Sequence, residues 1–202
     1  MTTNSAQAPF ERYADDIVCH CKTLEEAEAI RDAVAVRLQE WKLEIHKDKT
    51  RIVYCKDDNR PGGHKPLNLR FLGYEFQPRR AENHQDGSVF TSYLPAISTK
   101  AKLSIYEQLR DWKLMKRTQE SLEALQLDLN GQVRGWVNYY GKFYGSALLP
   151  VLDHIDETLA RWAKRKYKTL KTKAQARTWL ERVKIHQPGF FAHWSWRRRH
   201  VE

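Results

Sequence analysis

The spacing of apolar residues changes along this chain near Pro95. Before Pro95 the apolar residues form short β-prone runs and one helical segment, and after it they recur at helical spacing in four successive segments. The charge changes at the same place. Residues 1–98 carry 14 Lys and Arg against 15 Asp and Glu, whereas residues 99–202 carry 21 against 10. The sequence therefore predicts an α+β chain with two modules, 1–97 and 98–202, the second of them an α-helical bundle.

The first module reads as a β-hairpin, a helix and a few strands. Two β-prone runs flank Ala14-Asp15-Asp16 and predict the hairpin. Thr23 with Glu26 three residues later is a capping box at the start of an amphipathic segment. The predicted elements are strands at 10–13 and 17–21, a helix at 24–43, and strands at 50–55, 70–76 and 89–94.

The second module reads as four helices and an aromatic-basic tail. The helices are expected at 99–116, 122–140, 148–166 and 174–184. Trp194, Trp196 and the Arg197-Arg198-Arg199 run lie behind the last of them. This tail reads equally as a disordered basic segment or as one that binds RNA or a membrane surface.

The charge excess of the second module points to a polyanionic partner. Its 21 − 10 gives +11, which accounts for the formal net charge of +10 over the whole chain. Nucleic acid is the favoured partner, while a solvated basic face and an anionic membrane are the alternatives. No stretch approaches 18 uncharged apolar residues, so a transmembrane helix is excluded. Three Cys residues give no disulfide framework and fit a reducing cytoplasm.

Asp15 and Asp16 are the candidate catalytic and metal-binding residues. Adjacent carboxylates at a strand turn can hold Mg²⁺, which takes carboxylate oxygens and keeps several waters. Two such ions can clamp a phosphoryl displacement. Because neighbouring residues of a strand point to opposite faces, only one of the two is expected to be a strong ligand. The alternative is a solvated Asp-Asp turn.

Basic residues and a glycine of the first module are candidate nucleic-acid contacts. Lys47, Lys49 and Arg51 alternate at a possible strand start, which places them on one face for phosphate contact. A solvated edge protected by lysines is the alternative. Gly73 is expected in mid-strand, where it permits close approach of a nucleic-acid strand or else marks a bulge.

In the second module, cations are interleaved with aromatic residues. Arg134, Tyr139, Lys142 and Tyr144 combine rings for stacking on bases with cations for phosphates. Trp136 and Tyr140, four residues apart on one helix face, are expected in the core. A longer cationic run follows, and no acid occurs between Leu159 and Leu180. RNA contact is therefore expected from Arg161, Lys164, Arg165, Lys166, Lys168, Lys171 and Lys173.

Five segments in order resemble group II intron-encoded reverse transcriptases. Residues 10–18 resemble the catalytic palm hairpin, and 43–52 and 71–76 resemble later palm segments. Residues 133–140 and 161–167 resemble the thumb, or maturase domain X. The resemblance implies a partial reverse-transcriptase palm followed by an α-helical thumb bundle. It also implies RNA-directed DNA polymerase activity with Mg²⁺, intron splicing and mobility, and binding of intron RNA and a template–primer duplex.

The family pattern also includes fingers and a further metal-binding Asp before the Tyr-Ala-Asp-Asp segment. Only 14 residues precede Asp15. The isolated chain is therefore expected to bind RNA without extending a primer, and its partial palm is expected to favour self-association. A non-catalytic RNA-binding splicing factor and an inactive truncated remnant are the alternative interpretations.

Overall fold

The computed structural model describes residues 8–60, 62–83 and 85–200. The described chain begins with a β-hairpin of β1 (Phe10–Tyr13) and β2 (Asp16–Cys19), which is followed by helix α1 (Leu24–Glu40). Thr23 caps α1, because its hydroxyl oxygen accepts a hydrogen bond from the backbone N–H of Glu26. The predicted hairpin and helix are confirmed, and the helix ends at Glu40 rather than at 43.

A three-stranded antiparallel sheet follows, with its strands in chain order: β3 (Leu69–Phe71), β4 (Tyr74–Glu82) and β5 (Val89–Ile97). The prediction of one strand over 70–76 is wrong. Phe71 pairs with Tyr74 across a two-residue turn in which Leu72 and Gly73 have φ of 49° and 78°. Two successive positive φ values suit a tight hairpin turn, and glycine adopts the second at no steric cost.

The predicted strand at 50–55 is also wrong, because this segment has no regular secondary structure. Its contact with the rest of the chain is irregular: the backbone N–H of Tyr54 donates to the carbonyl of Pro66 at 3.1 Å. β-branched residues favour extended backbone, but a strand also needs a neighbour that continues the hydrogen-bond ladder. The sequence of the segment alone does not supply that neighbour.

The rest of the chain is helical: α2 (Thr99–Asp111), α3 (Leu122–Tyr140), α4 (Leu149–Lys166), α5 (Lys173–His186) and α6 (Ala192–His200). Ser98, Ser121 and Thr172 cap α2, α3 and α5 through their hydroxyls, which explains why these helices begin where they do. Helix α4 packs against α2 and α5, and α3 packs against α6. No helix within the described ranges is long and apolar enough to cross a bilayer.

The hydrophobic core lies within these helices. The helically spaced apolar residues of α3 and α4 are buried, among them Leu125, Val133, Leu152 and Trp162. Burying each such side chain contributes about 1.5–3 kcal/mol. Trp136 is buried as predicted.

The aromatic-basic tail is ordered up to residue 200, because residues 192–200 form α6. The interpretation of this segment as disordered is therefore wrong. Its Trp194 and Trp196 are buried in the core. The buried Asn130 of α3 fixes the start of α6: its Oδ1 accepts from the backbone N–H of Ala192 at 2.7 Å, and its Nδ2 donates to the carbonyl of Phe190 at 3.3 Å. A helix this short shows little periodicity in its sequence, so its tryptophans do not reveal that they face a core.

Burial is unequal along the chain. Among the described residues, none before Tyr74 is buried, and α1 contains no buried residue. The apolar side chains of Val36 and Trp41 are largely exposed. The expectation that this surface favours self-association stays a prediction, as does the module border at 97/98.

Candidate nucleic-acid surface and paired carboxylates

Asp15 and Asp16 lie at the tip of the first hairpin, where both are exposed. Asp15 is in the two-residue turn, and Asp16 is the first residue of β2 and pairs with Tyr13. Ala14 takes a φ of 53°, and its carbonyl accepts a hydrogen bond from Nε of Arg12 at 3.0 Å. The hairpin therefore presents two adjacent carboxylates to solvent.

The donor chemistry of this tip fits Mg²⁺ only in part. Carboxylate oxygens are the ligands that Mg²⁺ prefers. The described residues, however, bring no group of three His, Cys, Asp or Glu side chains together in a way that could hold a metal ion. Asp15 and Asp16 thus offer two ligands of the right type without a complete protein ligand set.

The basic residues that follow α1 do not form a strand face. Lys47 and Lys49 lie in a turn, in which the backbone N–H groups of Lys49 and Thr50 both donate to the carbonyl of His46. Strand alternation therefore does not orient Lys47, Lys49 and Arg51, and the predicted common strand face is wrong. All three side chains are exposed, and their contact with phosphates stays a prediction.

Gly73 lies against α3 rather than in the middle of a strand. A Cβ atom added to Gly73 would lie 2.9 Å from the hydroxyl oxygen of Tyr140. The Tyr139 hydroxyl donates to the carbonyl of Leu72 at 2.8 Å, and the Tyr74 hydroxyl donates to the carbonyl of Tyr139. The close approach that glycine permits here is thus made by the protein itself.

Burial raises the pKa of Tyr74 to about 12, and the neighbouring Tyr139 and Tyr140 add to the shift. Tyr74 therefore keeps its hydroxyl proton at neutral pH, and this proton makes the bond to the Tyr139 carbonyl.

Arg134, Tyr139 and Lys142 lie on the surface around the end of α3. Arg134 is exposed and its side chain has no hydrogen-bond or ionic partner among the described residues. Tyr139 is half exposed, and the Lys142 ammonium lies 5.5 Å from the centroid of the Phe143 ring. The predicted combination of cations with an accessible ring is present, although Tyr139 also bonds to Leu72.

The longer cationic run covers the end of α4, the following loop and the start of α5. All of its members except Lys166 are exposed: Arg161, Lys164, Arg165, Lys168, Lys171 and Lys173. Arg161, Lys164 and Lys173 line one small crevice between α4 and α5, together with Glu157. The exposed cations of this run, at the end of α4, in the following loop and at the start of α5, are here called the α4–α5 cationic surface.

Lys166 differs from its neighbours because it stabilises the fold. Its ammonium donates to the carbonyl of Thr118 at 2.9 Å and lies 5.7 Å from the centroid of the Trp162 ring. Arg161 is partly engaged as well, since its guanidinium donates to the Thr158 hydroxyl at 3.1 Å. The side chains without an ionic or hydrogen-bond partner in the described part of the chain are Lys164, Arg165, Lys168, Lys171 and Lys173.

Sequence reasoning missed two residues at the junction of the sheet and α3, Phe143 and Arg79. Phe143 and Tyr144 follow α3 and remain more than a third exposed. The Arg79 guanidinium of β4 lies 5.1 Å from the centroid of the Tyr144 ring. The aromatic sequence around Phe143 was visible, but only the fold brings Arg79 to it.

Comparison with known families assigns both parts of the chain. Residues 2–76 match the family described as Reverse transcriptase (RNA-dependent DNA polymerase). Residues 102–180 match the family described as Group II intron, maturase-specific domain. Searches of the curated proteins and of the solved structures gave no significant match. Reverse transcriptase sequence followed by a maturase-specific domain identifies the chain as the C-terminal part of a group II intron reverse transcriptase/maturase.

Proposed function

We propose that this chain binds group II intron RNA through the α4–α5 cationic surface. The main support for this proposal is that five cations of this surface have no partner of opposite charge in the described part of the chain. They are Lys164, Arg165, Lys168, Lys171 and Lys173. The surface lies within or next to α4 and α5, both of which fall largely in the maturase-specific match.

Unpaired cations at this density favour a polyanionic ligand. Like charges on one surface repel each other, and neutralisation by phosphates removes that repulsion. Each phosphate contact also releases condensed counterions from the RNA, which supplies most of the binding free energy at low salt. Elsewhere in the chain many cations are paired internally, such as Arg31 with Asp32 and Arg110 with Glu107.

The α4–α5 cationic surface supports intron RNA and a template–primer duplex alike, because phosphate contacts do not read sequence. Arg134, Lys142, Lys47, Lys49 and Arg51 are proposed as further phosphate contacts. Asp15 and Asp16 are proposed as contributors to Mg²⁺ binding in an assembled reverse transcriptase. Among the described residues no third metal-binding side chain joins these two carboxylates, so the activity we propose for this chain is RNA binding and not DNA synthesis.

The test replaces four of the unpaired cations and measures the salt dependence of RNA binding. The variant carries Lys164→Gln, Arg165→Gln, Lys168→Gln and Lys171→Gln, and leaves Lys166 in place because it holds the Thr118 carbonyl. We expect the slope of log affinity against log salt to become shallower by about 3, since each contact contributes 0.7–0.9 to the slope. Filter binding of structured intron RNA at several salt concentrations measures this slope.

A matched control removes the same charge from cations that have internal partners: Arg31→Gln, Arg37→Gln, Arg60→Gln and Arg110→Gln. Both variants have a net charge four units lower, so a purely long-range effect would change both slopes equally. We expect the control slope to stay within about 1 of wild type. Equal slopes for the two variants would contradict the assignment of RNA binding to the α4–α5 cationic surface.

A further inference from the structure

Three aromatic side chains near the end of α3 remain accessible although they belong to a packed junction. Tyr139, Phe143 and Tyr144 are 47%, 42% and 37% exposed. The other aromatic residues of the helical bundle include Trp136, Trp162, Phe191 and Trp194, all of which are buried. Three exposed aromatic residues within residues 139–144 indicate an interaction surface and not a poorly packed part of the core.

The rings are held in place from below. The buried Tyr74 ring lies 5.3 Å from the Tyr139 ring and 5.6 Å from the Phe143 ring, centroid to centroid. Tyr139 is fixed further by the hydrogen bond from its hydroxyl to the carbonyl of Leu72. Tyr139 and Phe143 are thus positioned by Tyr74 while they remain 47% and 42% exposed.

The loop that carries Phe143 and Tyr144 is packed tightly against α6. A Cβ atom at Gly141 would lie 2.5 Å from Nε1 of Trp196, and one at Gly145 would lie 2.9 Å from Cη2 of the same indole. The indole of Trp196 therefore supports both ends of the loop. An aromatic surface fixed in advance loses little conformational entropy when a ligand binds.

Cations accompany these rings. The Lys142 ammonium lies near Phe143, and the Arg79 guanidinium lies 5.1 Å from the Tyr144 ring centroid. Arg79 is held by hydrogen bonds from its side chain to the carbonyls of Glu75 and Leu94. It has no carboxylate partner among the described residues. The surface therefore combines flat apolar faces with positive charge.

We propose that Tyr139, Phe143 and Tyr144 form a stacking platform for unpaired RNA bases, with Lys142 placed for the adjoining phosphates and Arg79 holding the Tyr144 ring. This inference rests on the proposed RNA binding and adds a second subsite to it. Bases within an A-form duplex are stacked on each other, whereas those of loops and single strands are free to stack on aromatic side chains. The platform therefore selects unpaired segments, while the α4–α5 cationic surface binds phosphates of either kind.

The experiment compares two RNAs on the full chain: a fluorescently labelled 12-nucleotide single strand without self-complementarity, and a 12-base-pair RNA duplex. Anisotropy titrations at one fixed salt concentration give both affinities. The variant Phe143→Leu with Tyr144→Leu removes two rings and keeps apolar bulk. We expect its affinity for the single strand to fall by about 25-fold or more, because each of the two lost stacking contacts contributes a factor of about five upwards. Its affinity for the duplex should change by less than twofold.

Two further variants serve as controls. Phe90 of β5 is 41% exposed, close to the value for Phe143, and lies about 23 Å along the hairpin from the pair of Tyr74 with Ile97. Phe90→Leu should leave both affinities at the wild-type level. Phe143→Trp keeps a stacking face and should retain the affinity for the single strand even if the double variant is poorly folded.

The outcomes separate this inference from the proposed function. Equal losses for both RNAs in the double variant, or no loss for the single strand, would overturn the platform and leave phosphate binding by the α4–α5 cationic surface intact. An unchanged affinity for the single strand is also what we would expect if this aromatic surface bound a protein instead of RNA. A wild-type chain that binds neither RNA would overturn RNA binding together with the platform.

Discussion

Replacing Asp156 is expected to destabilise the helical bundle strongly, because this carboxylate joins three helices. Asp156 lies on α4, and its Oδ1 accepts from Nε2 of His193 at 2.9 Å and from Nε1 of Trp194 at 2.8 Å. Its Oδ2 accepts from the ammonium of Lys184 on α5 at 2.8 Å. The Asp156 side chain is only 13% exposed and that of His193 is fully buried. The carboxylate therefore replaces water for three donors.

The protonation states follow from these contacts. Burial by itself would raise the pKa of Asp156, but the hydrogen bond from His193 and the ammonium of Lys184 outweigh it and hold that pKa below its usual range. Burial lowers the pKa of His193, against the opposing effect of Asp156. The imidazole is thus neutral at neutral pH, and Nε2 carries the proton because an ionised carboxylate only accepts hydrogen bonds.

The perturbation Asp156→Asn removes the charge and turns one acceptor into a donor. Breaking a buried ion pair at one partner costs about 3–5 kcal/mol. Lys184 keeps its ion pair with Glu181 at 2.6 Å, so the lower end of this range applies. We expect the free energy of unfolding to fall by about 3 kcal/mol, from a total that is typically about 5–15 kcal/mol for a domain.

Urea unfolding followed by circular dichroism at 222 nm measures this loss on the full chain. The matched control is Asp153→Asn, one turn earlier on α4, which removes the partner of Arg197 on α6. The Asp153 side chain is 65% exposed, so its loss should cost about 0–1 kcal/mol. An Asp156→Asn cost no larger than that of Asp153→Asn would refute the structural role of the buried cluster.

The same cluster predicts how stability depends on pH. Because the pKa of His193 is lowered by folding, the unfolded chain takes up a proton below about pH 6.5 and the folded chain does not, so stability falls as pH drops through that value. The lowered pKa of Asp156 adds a second loss below about pH 4. The Asp156→Asn variant should still lose stability below about pH 6.5 but should lack the further loss that Asp156 causes below about pH 4. A dependence of stability on pH below about pH 4 that equals that of the wild type would contradict this.

Two further predictions concern the turn at Gly73 and the tip of the first hairpin. Gly73→Ala should lower the free energy of unfolding by about 1 kcal/mol more than Gly87→Ala does. Both residues have positive φ, but only a Cβ at Gly73 would meet Tyr140. Equal losses of stability in urea unfolding would contradict this contact. Asp15→Asn with Asp16→Asn should change the free energy of unfolding by less than about 0.5 kcal/mol, because both carboxylates are exposed and unpartnered in the described part of the chain. A larger loss would show that the fold uses these carboxylates.

Periodicity and capping determined most of the helical part. Leu125, Val133, Leu152 and Trp162 are buried as their spacing predicts, and α3 spans the predicted 122–140. Local signals suffice here because a helix makes its hydrogen bonds within its own segment and its apolar stripe faces the core. The first hairpin was equally readable, since its two short strands pair with each other across a tight turn.

Partners distant in the sequence decided the rest. Residues 50–55 have strand-like composition without a ladder, and Gly73 is a turn residue because Phe71 pairs with Tyr74. Strand pairing is set by register and by available neighbours, which composition does not encode.

The candidate site shows the same division between local and distant signals. Its cationic run is plain in the sequence, but which cations remain free is a tertiary property. Lys166 bonds to the Thr118 carbonyl, which lies far away in the chain, whereas its neighbour Arg165 has no partner in the described part of the chain. The buried tryptophans of α6 likewise depend on Asn130, which fixes the start of that helix from α3. Sequence thus determined the helices and their charge, whereas tertiary packing decided which charged and aromatic side chains remain exposed and unpaired.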